Sequence, residues 1–382
     1  MDTLNFIWVN LWTNGAAFVF ILTVIVFVHE FGHYFVARRC GVRVEVFSIG
    51  FGPELFGWTD RAGTHWKVSL LPLGGYVKMF GETAMPGAEG EDARELTAEE
   101  RAVSFQEKSL ARRAAIVSAG PLANFVLAIV VWAVLFGTVG QRVTPPNVGT
   151  VQSGSAAEEA GLKPGDVIVS IDDKEIERFS DLQRIISISP GVPLRLGLRR
   201  DGRRLTLLVT PKLKEITDIL GNRHEVGLIG VSPAGSALVR HSPATAALRA
   251  GQETYRYATL LLKVLGEIIS GTRSSKELGG PIGIFQMSGQ MAEFGLYNVF
   301  WFIAMLSVNL GIINLFPIPV LDGGHLMFYA IEAVRGKPPS ERFMEYGFRV
   351  GLGLVLTLFV FVTYQDIKRF QGVVEFFEGI FS

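Results

Sequence analysis

Two histidines and a glutamate stand together in an apolar part of the chain. His29, Glu30 and His33 form a His-Glu-x-x-His pattern at the end of a long uncharged run. On a helix, residues i and i+4 lie on one face, so both imidazoles can reach one Zn²⁺ at about 2.0 to 2.1 Å. Glu30 lies beside them and can take a proton from a water molecule that attacks a peptide carbonyl. The pattern therefore predicts a hydrolytic zinc site.

The apolar setting of this pattern strengthens the prediction. A charged residue near the centre of a bilayer costs roughly 2.5 to 3.5 kcal/mol on insertion scales, so ionisable groups there are usually functional. The alternative is that His29 and Glu30 only mark the end of a helix, where water is available. That alternative leaves His33 and the apolar residues 34–36 unexplained.

A third zinc ligand must come from elsewhere, because a catalytic zinc usually has three protein ligands plus water. Asp322 is the candidate, since prolines and glycines around it interrupt an apolar run. Non-helical backbone at membrane depth is tolerated where it is buried in protein or faces a wet cavity. We therefore expect Asp322 to face such a cavity with the histidines. An Asp that caps a turn at a membrane exit is the alternative, and His325 is a rival ligand.

The composition is that of a membrane protein. Of 382 residues, 49% are hydrophobic and only 19% are charged, and the 36 Lys and Arg balance the 36 Asp and Glu. This balance gives no reason to expect nucleic acid as a partner. Cys40 is the single cysteine, so an intrachain disulfide and a thiolate metal cluster are excluded.

Four apolar runs predict a multi-pass α-helical membrane protein with about four transmembrane helices. The runs are Thr3–Val28, Ala114–Gln141, Phe294–Leu321 and Val350–Gln365. The fourth run is shorter, so we expect it to need local bilayer thinning or snorkelling by flanking basic residues.

Basic residues near the ends of these runs predict the orientation of the helices. They follow the first run, precede the second and separate the third from the fourth, so these three groups should be cytoplasmic. Residues 142–293 are then predicted to be extracytoplasmic. Lys368 and Arg369 would also be extracytoplasmic, which is against the preference of basic residues for the cytoplasmic side. The residues that fit the rule are Arg38, Arg39, Arg43, Arg112, Arg113, Arg335, Lys337 and Arg342.

Several separate motifs in a fixed order connect the chain to a known family. They are His29–His33, Phe47–Pro53, Leu71–Met79, Ala119–Phe125, Gly279–Gly283 and Asn314–Gly323. With these motifs the chain resembles the site-2 protease family of intramembrane zinc metalloproteases, and within it the bacterial regulator of sigma-E protease group. The resemblance implies His29, His33 and Asp322 as zinc ligands, Glu30 as the general base, and Asn314 as a substrate contact.

The same resemblance implies partners and location. It predicts single-pass membrane protein substrates, such as membrane anti-sigma factors or remnant signal peptides, already trimmed by another protease. It places the chain in a bacterial inner membrane, in contact with the lipid bilayer, with the active site near the cytoplasmic side.

The segment Val44–Met79 predicts a β-hairpin, because two apolar runs are separated by Gly, Pro and Asp residues. Family members use such a hairpin at the cytoplasmic membrane boundary. An edge strand there can pair with an unwound substrate, and we expect Gly50, Phe51 and Gly52 to contact it. An ordinary structural hairpin is the alternative. The polar, acidic residues from Glu82 to Glu100 predict a solvated loop.

A soluble α+β module is predicted at residues 142–232. Strands at Val148–Val151 and Val167–Ile171, a helix at Asp181–Ile188 and a hairpin turning at Asp201-Gly202 resemble one extracytoplasmic PDZ domain. Some relatives carry two such modules, but this sequence shows one. Whether it binds a peptide end or acts as a size filter stays open at this point.

The predicted domains therefore alternate between membrane and solvent. A membrane core at 1–141 precedes the PDZ domain at 142–232, a connector at 233–293 follows, and a second membrane core fills 294–382. Within the connector, Thr245–Ser270 predicts an amphipathic helix on the outer membrane surface, with a packed periplasmic helix as the equal alternative.

Two other functions are compatible with parts of this pattern. A non-catalytic membrane scaffold with a PDZ receptor would have no use for Glu30 beside the metal. A transporter that relays protons through intramembrane His and Asp predicts internal repeats, and the two helix pairs show none.

Overall fold

The computed structural model describes residues 3–82, 96–217, 223–271 and 278–369. Its contacts divide the chain into two compact units. One unit comprises Met1–Leu135 with Pro243–Ser382, and the other comprises Phe136–Ser242. The predicted boundaries of the inserted domain, 142–232, lie inside the second unit.

The first unit is helical. Its helices are α1 (Thr3–Arg39), α2 (Ala98–Val103), α3 (Leu110–Thr138), α6 (Pro243–Ile269), α7 (Pro281–Glu293), α8 (Leu296–Leu315), α9 (Asp322–Arg335) and α10 (Glu341–Arg369). Four of them are long and apolar enough to cross a membrane, namely Trp12–Arg39 of α1, α3, α8 and Glu341–Lys368 of α10. The prediction of about four transmembrane helices is therefore confirmed.

Helix α10 is longer than its apolar run suggested. It starts at Glu341, and its candidate span has 28 residues, or about 42 Å at 1.5 Å per residue. Charged residues extend the helix before the apolar run, and Arg349 and Glu345 form an i,i+4 ion pair at 2.5 Å. The apolar run within α10 keeps its predicted length, so the need for bilayer thinning or snorkelling stays a prediction.

Helix α7 packs against α1, α8 and α10, which the sequence did not predict. The buried carboxylate of Asp366 in α10 accepts hydrogen bonds from the backbone N–H groups of Gly280 (3.1 Å) and Gly283 (2.9 Å) at its start. An anion is stabilised at a helix N-terminus, so Asp366 fastens α10 to α7. Part of the predicted connector thus lies in the helical unit.

Strands β1 (Val44–Thr59) and β2 (His65–Met79) form the predicted hairpin, folded over on itself. The first part of β1 is paired on both sides, because Phe47 faces Val77 on one side and Trp66 on the other. Gly50 and Gly52 have φ of 91° and 90°, which lets β1 bend between its two halves. The association of this hairpin with a membrane stays a prediction.

The second unit contains a four-stranded antiparallel sheet. Its strands are β5 (Val167–Ile171), β6 (Lys174–Glu175), β7 (Leu194–Arg200) and β8 (Arg203–Val209), and they lie side by side in the order β6-β5-β7-β8. Along the chain they follow the predicted sequence of elements, with α4 (Ala156–Glu159) before them and α5 (Phe179–Ser187) between β6 and β7. Asp201 and Gly202 both have positive φ, as the predicted hairpin turn requires. The core includes Val148, Ile168, Ile171, Phe179, Leu182 and Leu196.

Three smaller strand pairs complete this unit. They are β3 (Gln141–Val143) with β12 (Ala237–Val239), β4 (Val148–Val151) with β11 (Val231–Pro233), and β9 (Lys212–Thr217) with β10 (Arg223–Leu228). The pairs β3·β12 and β4·β11 join the start of the insertion to its end, which explains why it forms its own compact unit.

Among the described acids of the second unit, Asp166, in the turn before β5, is the best buried, with 1% of its side chain exposed. Burial opposes its ionisation, but hydrogen bonds from Arg200 at 2.6 and 2.7 Å and from the N–H of Lys163 outweigh it. The net effect holds the pKa of Asp166 below its ordinary value.

We expect Arg200→Met to destabilise the inserted unit by about 2 to 3 kcal/mol, because it leaves a buried carboxylate unpaired. Hydrogen exchange of the β5 and β7 amides measures this loss. The contribution of Asp166 is complete above its unfolded pKa and is lost as the pH falls through its folded pKa, so the variant should also lose that acid dependence.

Arg195→Met is the matched control. Arg195 is 65% exposed, and its pairs with Asp172 and Asp173 are 3.9 and 3.4 Å long, so its loss should cost at most about 1 kcal/mol. Equal effects of the two substitutions would contradict the assignment of a stabilising role to the buried pair.

Candidate metal centre

Three side chains from two distant parts of the chain converge inside the helical unit. The Nε2 atoms of His29 and His33 are 3.3 Å apart, and they lie 3.2 and 3.5 Å from Oδ2 of Asp322. Both histidines are 8% exposed. Among the described residues, this is the one cluster of three His, Cys or acidic side chains that could hold a metal ion.

The dimensions of the cluster fit a zinc ion. Ligand atoms about 2.0 to 2.1 Å from a tetrahedral Zn²⁺ are separated by about 3.3 to 3.4 Å, which is close to the three distances here. Among the described residues, Oδ2 of Asp322 is buried without a hydrogen bond of regular geometry. A buried polar atom of this kind requires a partner, and a cation between the three ligands would provide it.

Each histidine is held by a second contact at its other nitrogen. Nδ1 of His33 lies 2.9 Å from the carbonyl oxygen of Ile116, and Nδ1 of His29 lies 3.1 Å from the amide of Asn124. Both partners are in α3. Because a carbonyl can only accept, Nδ1 of His33 carries the proton and its Nε2 keeps a lone pair.

Small residues allow α3 to approach α1 at this level. A Cβ on Gly32 would collide with the carbonyl of Ala119 and lie 2.7 Å from Cβ of Ala123, and a Cβ on Gly120 would collide with the imidazole of His33. Gly120 and Asn124 belong to a motif that sequence reasoning noted but did not assign to the site. Small residues spaced along an apolar helix were the signal, since they mark close packing in membranes.

Asp322 is the first residue of α9, immediately after a break in the helical backbone. Residues 316–321 separate α8 from α9, and Val320 has a φ of 113°, which is unusual for a β-branched residue. A Cβ on Gly323 would collide with the carbonyl of Phe316, and one on Gly324 would lie 2.5 Å from that of Ile318. The glycines thus let the break pack closely beneath Asp322.

An ion pair connects α9 to α3 at some distance from the ligands. Arg113 donates to Glu332 at 2.6 Å, both side chains are about one-sixth exposed (17% and 16%), and the guanidinium lies 5.0 Å from the ring of Tyr329. Burial raises the pKa of Tyr329 to about 12, although the positive charge of Arg113 opposes this rise. The pair helps to fix the helix that carries Asp322.

Glu30 points toward β2 and is half-buried. A Cβ on Gly75 would lie 3.2 Å from Cγ of Glu30, so the base candidate and the hairpin are in close contact. Glu30 also interacts electrostatically with His33, His29 and Asp322. It therefore lies near the ligand cluster without belonging to it.

The hairpin is fastened to α1 beside the histidines. The ring of Trp66 stacks on Phe47 at 4.3 Å and meets Tyr34 edge-on at 5.0 Å. Asp60 accepts hydrogen bonds from the Trp66 indole at 2.9 Å and from the Tyr34 hydroxyl at 3.4 Å. Since Tyr34 follows His33, these contacts hold the hairpin next to the ligand cluster.

The other predicted site residues lie outside the ligand cluster. Asn314 is half-buried in the last turn of α8. Phe51, between Gly50 and Gly52 at the bend of β1, is 45% exposed and stacks on Tyr76 at 6.2 Å. The rival ligand His325 packs against the ring of Phe348 at 5.4 Å instead.

Helices that can cross a membrane and a cluster of two buried histidines and a partly exposed aspartate define the chain as a membrane metallopeptidase. A family model described as Peptidase family M50 matches residues 17–358, and the chain belongs to that family. The predicted resemblance to site-2 proteases is confirmed, and with it the predictions of a metalloprotease and of zinc as its cofactor.

Relatives that match this chain over most of their own length support this assignment. A protein of Agrobacterium fabrum named "Putative zinc metalloprotease Atu1380" is 46% identical over 93% of this chain and 96% of its own. Metalloprotease MmpA of Caulobacter vibrioides is 39% identical, with 96% and 98% covered. Regulator of sigma-E protease RseP of Salmonella typhimurium is 35% identical, with 94% and 99% covered.

Among solved structures, the PDZ domain of an SdrC-like protein from Listeria monocytogenes is similar to part of the chain. It is 19% identical, has a TM-score of 0.19, and covers 24% of this chain and 87% of its own. This likeness is too weak to support an argument about function.

We expect Gly120→Ala to lower zinc content and to reduce peptide cleavage about 100-fold, because the added methyl group displaces the ring of His33. Gly353→Ala in α10 is the control, since a Cβ there meets nothing within 4 Å. Both changes favour a helix by up to about 1 kcal/mol, so neither should lower the melting temperature through helix propensity. Wild-type zinc content and rate in Gly120→Ala would contradict the close contact.

Proposed function

We propose that this chain is an intramembrane zinc metalloendopeptidase that hydrolyses peptide bonds within transmembrane segments of other proteins. The observation that carries this proposal is the triangle of His29, His33 and Asp322 inside the helical unit, with Glu30 beside it. In this proposal the three side chains hold the zinc, and Glu30 is the general base.

Zinc bound at this site would polarise a peptide carbonyl and make a water molecule more acidic. The residues of the chain have separate tasks. Glu30 takes the proton of the attacking water and delivers it to the leaving amine, as a group beside the ligands can do. Ile116 fixes the ring of His33 through the contact of its carbonyl oxygen with Nδ1.

A transmembrane substrate has to lose helical hydrogen bonds before its backbone can be cleaved. Residues Gly75–Met79 of β2 pair with β1 on one side, and among the described residues no strand occupies their other side. Because Gly75 contacts Glu30, an extended substrate paired with this edge would pass close to the base. The same proposal assigns substrate contacts to Asn314, Gly50, Phe51 and Gly52.

The proposed substrates are single-pass membrane proteins. One relative is named as a regulator of sigma-E protease, which supports membrane anti-sigma factors as a substrate class. The proposal also includes remnant signal peptides, and trimming of the substrates beforehand by another protease. The proposed location is a bacterial inner membrane, with the active site toward the cytoplasm and the PDZ-like unit outside. We propose that this unit filters or binds the trimmed ends of substrates.

The decisive variant is Glu30→Gln. It should keep the zinc content of the wild type, because Glu30 is not a proposed ligand, and it should reduce cleavage of a model transmembrane substrate by about 100- to 10,000-fold. Metal analysis and a cleavage assay in detergent or vesicles measure both effects. Glu345→Gln, in an exposed pair on α10, is the control and should cleave normally.

Equal cleavage by Glu30→Gln and the wild type would contradict the role of Glu30 as the base. A folded wild-type protein that holds no zinc at saturating metal would instead favour the non-catalytic scaffold.

A pair of glycine variants tests the substrate role of the β1 bend. Gly52 and Gly63 have φ of 90° and 81°, and a Cβ on either meets nothing within 4 Å, so alanine strains both turns similarly. Gly52→Ala should raise KM for a transmembrane substrate severalfold, whereas Gly63→Ala should not. Equal KM values in the two variants would remove Gly52 from the substrate contacts.

A further inference from the structure

The two histidines of the cluster differ in what holds their outer nitrogen. The partner of His33 is a backbone carbonyl, which can only accept a hydrogen bond. The partner of His29 is the side-chain amide of Asn124, which can donate through Nδ2 or accept through Oδ1. The tautomer of His33 is therefore fixed by the backbone, while that of His29 depends on the orientation of one amide.

The two orientations of this amide have opposite consequences for metal binding. If Nδ2 of Asn124 donates to Nδ1 of His29, the neutral ring carries its proton on Nε2, which then has no lone pair for a metal. If Oδ1 accepts from Nδ1–H, the lone pair lies on Nε2, the atom 3.2 Å from Asp322 and 3.3 Å from Nε2 of His33. Only the second arrangement gives both histidines a free Nε2.

Asn124 is placed so that either atom of its amide can face His29. Asn124 is fully buried, with 0% exposed, and among the described residues its Oδ1 has no hydrogen-bond partner, while Nδ2 faces His29 at 3.1 Å. The oxygen and nitrogen of an amide exchange places by a half-turn about the last side-chain bond. This half-turn brings Oδ1 to Nδ1 of His29 and puts Nδ2 in the former place of Oδ1. Metal binding by Nε2 of His29 therefore selects the second arrangement.

We infer that Asn124 is a positioning residue of the zinc site, whose Oδ1 accepts a hydrogen bond from Nδ1–H of His29 and so presents Nε2 of that ring to the metal. This inference rests on the proposed zinc ligation by His29, His33 and Asp322. Asn124 reaches the metal only through His29, so its loss should weaken zinc binding without removing a ligand.

The orientation is tested with two substitutions of similar size. Asn124→Leu fills the space but cannot accept, so zinc should bind about 10- to 100-fold more weakly in competition with a chelator. Asn124→Asp retains an acceptor at this position and should bind zinc within about threefold of the wild type. Excess zinc should restore cleavage to Asn124→Leu, because the reacting groups are unchanged.

Trp132→Phe is the matched control. It removes a buried polar group from the same helix, and the indole Nε1 of Trp132 has no hydrogen-bond partner among the described residues. Its zinc affinity should equal that of the wild type. Wild-type affinity in a folded Asn124→Leu would overturn the inference, and so would a loss of affinity in Asn124→Asp as large as that in Asn124→Leu.

A measurement on the wild type covers the case in which a variant does not fold. The chain has six histidines, so nitrogen-15 labelling of histidine gives few signals. In the zinc-loaded protein, two rings should show a protonated Nδ1 and a metal-bound Nε2. If two rings bind the metal but one of them has an unprotonated Nδ1, the role of Asn124 is overturned. The assignment of the two histidines as zinc ligands would still hold. A zinc-loaded protein with no metal-bound ring would reject the proposed ligands instead.

Discussion

The fold places three electron-pair donors, from His29, His33 and Asp322, within 3.5 Å of one another among apolar helices, and the rest of the structure depends on this placement. Two neutral imidazole nitrogens and a carboxylate oxygen have no protons to share among all three, so without a cation this cluster would cost free energy of burial. A divalent ion removes that cost. The helices must therefore hold the three ligands at positions where one ion can bind all of them.

This requirement explains the placement of small residues around the site. Gly32 and Gly120 bring α3 against α1, so that Ile116 and Asn124 can reach the outer nitrogens of the two rings. In lipid, apolar side chains give little net drive for helices to associate, so close backbone contact and hydrogen bonds take that role. The glycines after Asp322 likewise let the start of α9 lie close to the backbone of residues 316–321.

The sequence predicted the parts of the site that depend on local spacing. His29 and His33 share a helix face whatever surrounds them, and two prolines close together between α8 and α9 disfavour a continuous helix, so both features were visible in the residues. The partners Ile116 and Asn124 were not, since their roles depend on how α3 lies against α1. Helix α7 was missed for a similar reason: its capping carboxylate, Asp366, is far along the chain in α10.

The hairpin shows how the fold narrows the proposed path of a substrate. Its first strand segment, which includes Phe47, is paired on both sides and has no room for another strand. An added strand is therefore restricted to outer segments of the folded hairpin, one of which begins at Gly75. That glycine contacts Glu30, and a larger residue there would press on the base itself. The packing that holds the hairpin on α1 thus also sets the distance between Glu30 and any backbone paired with this edge.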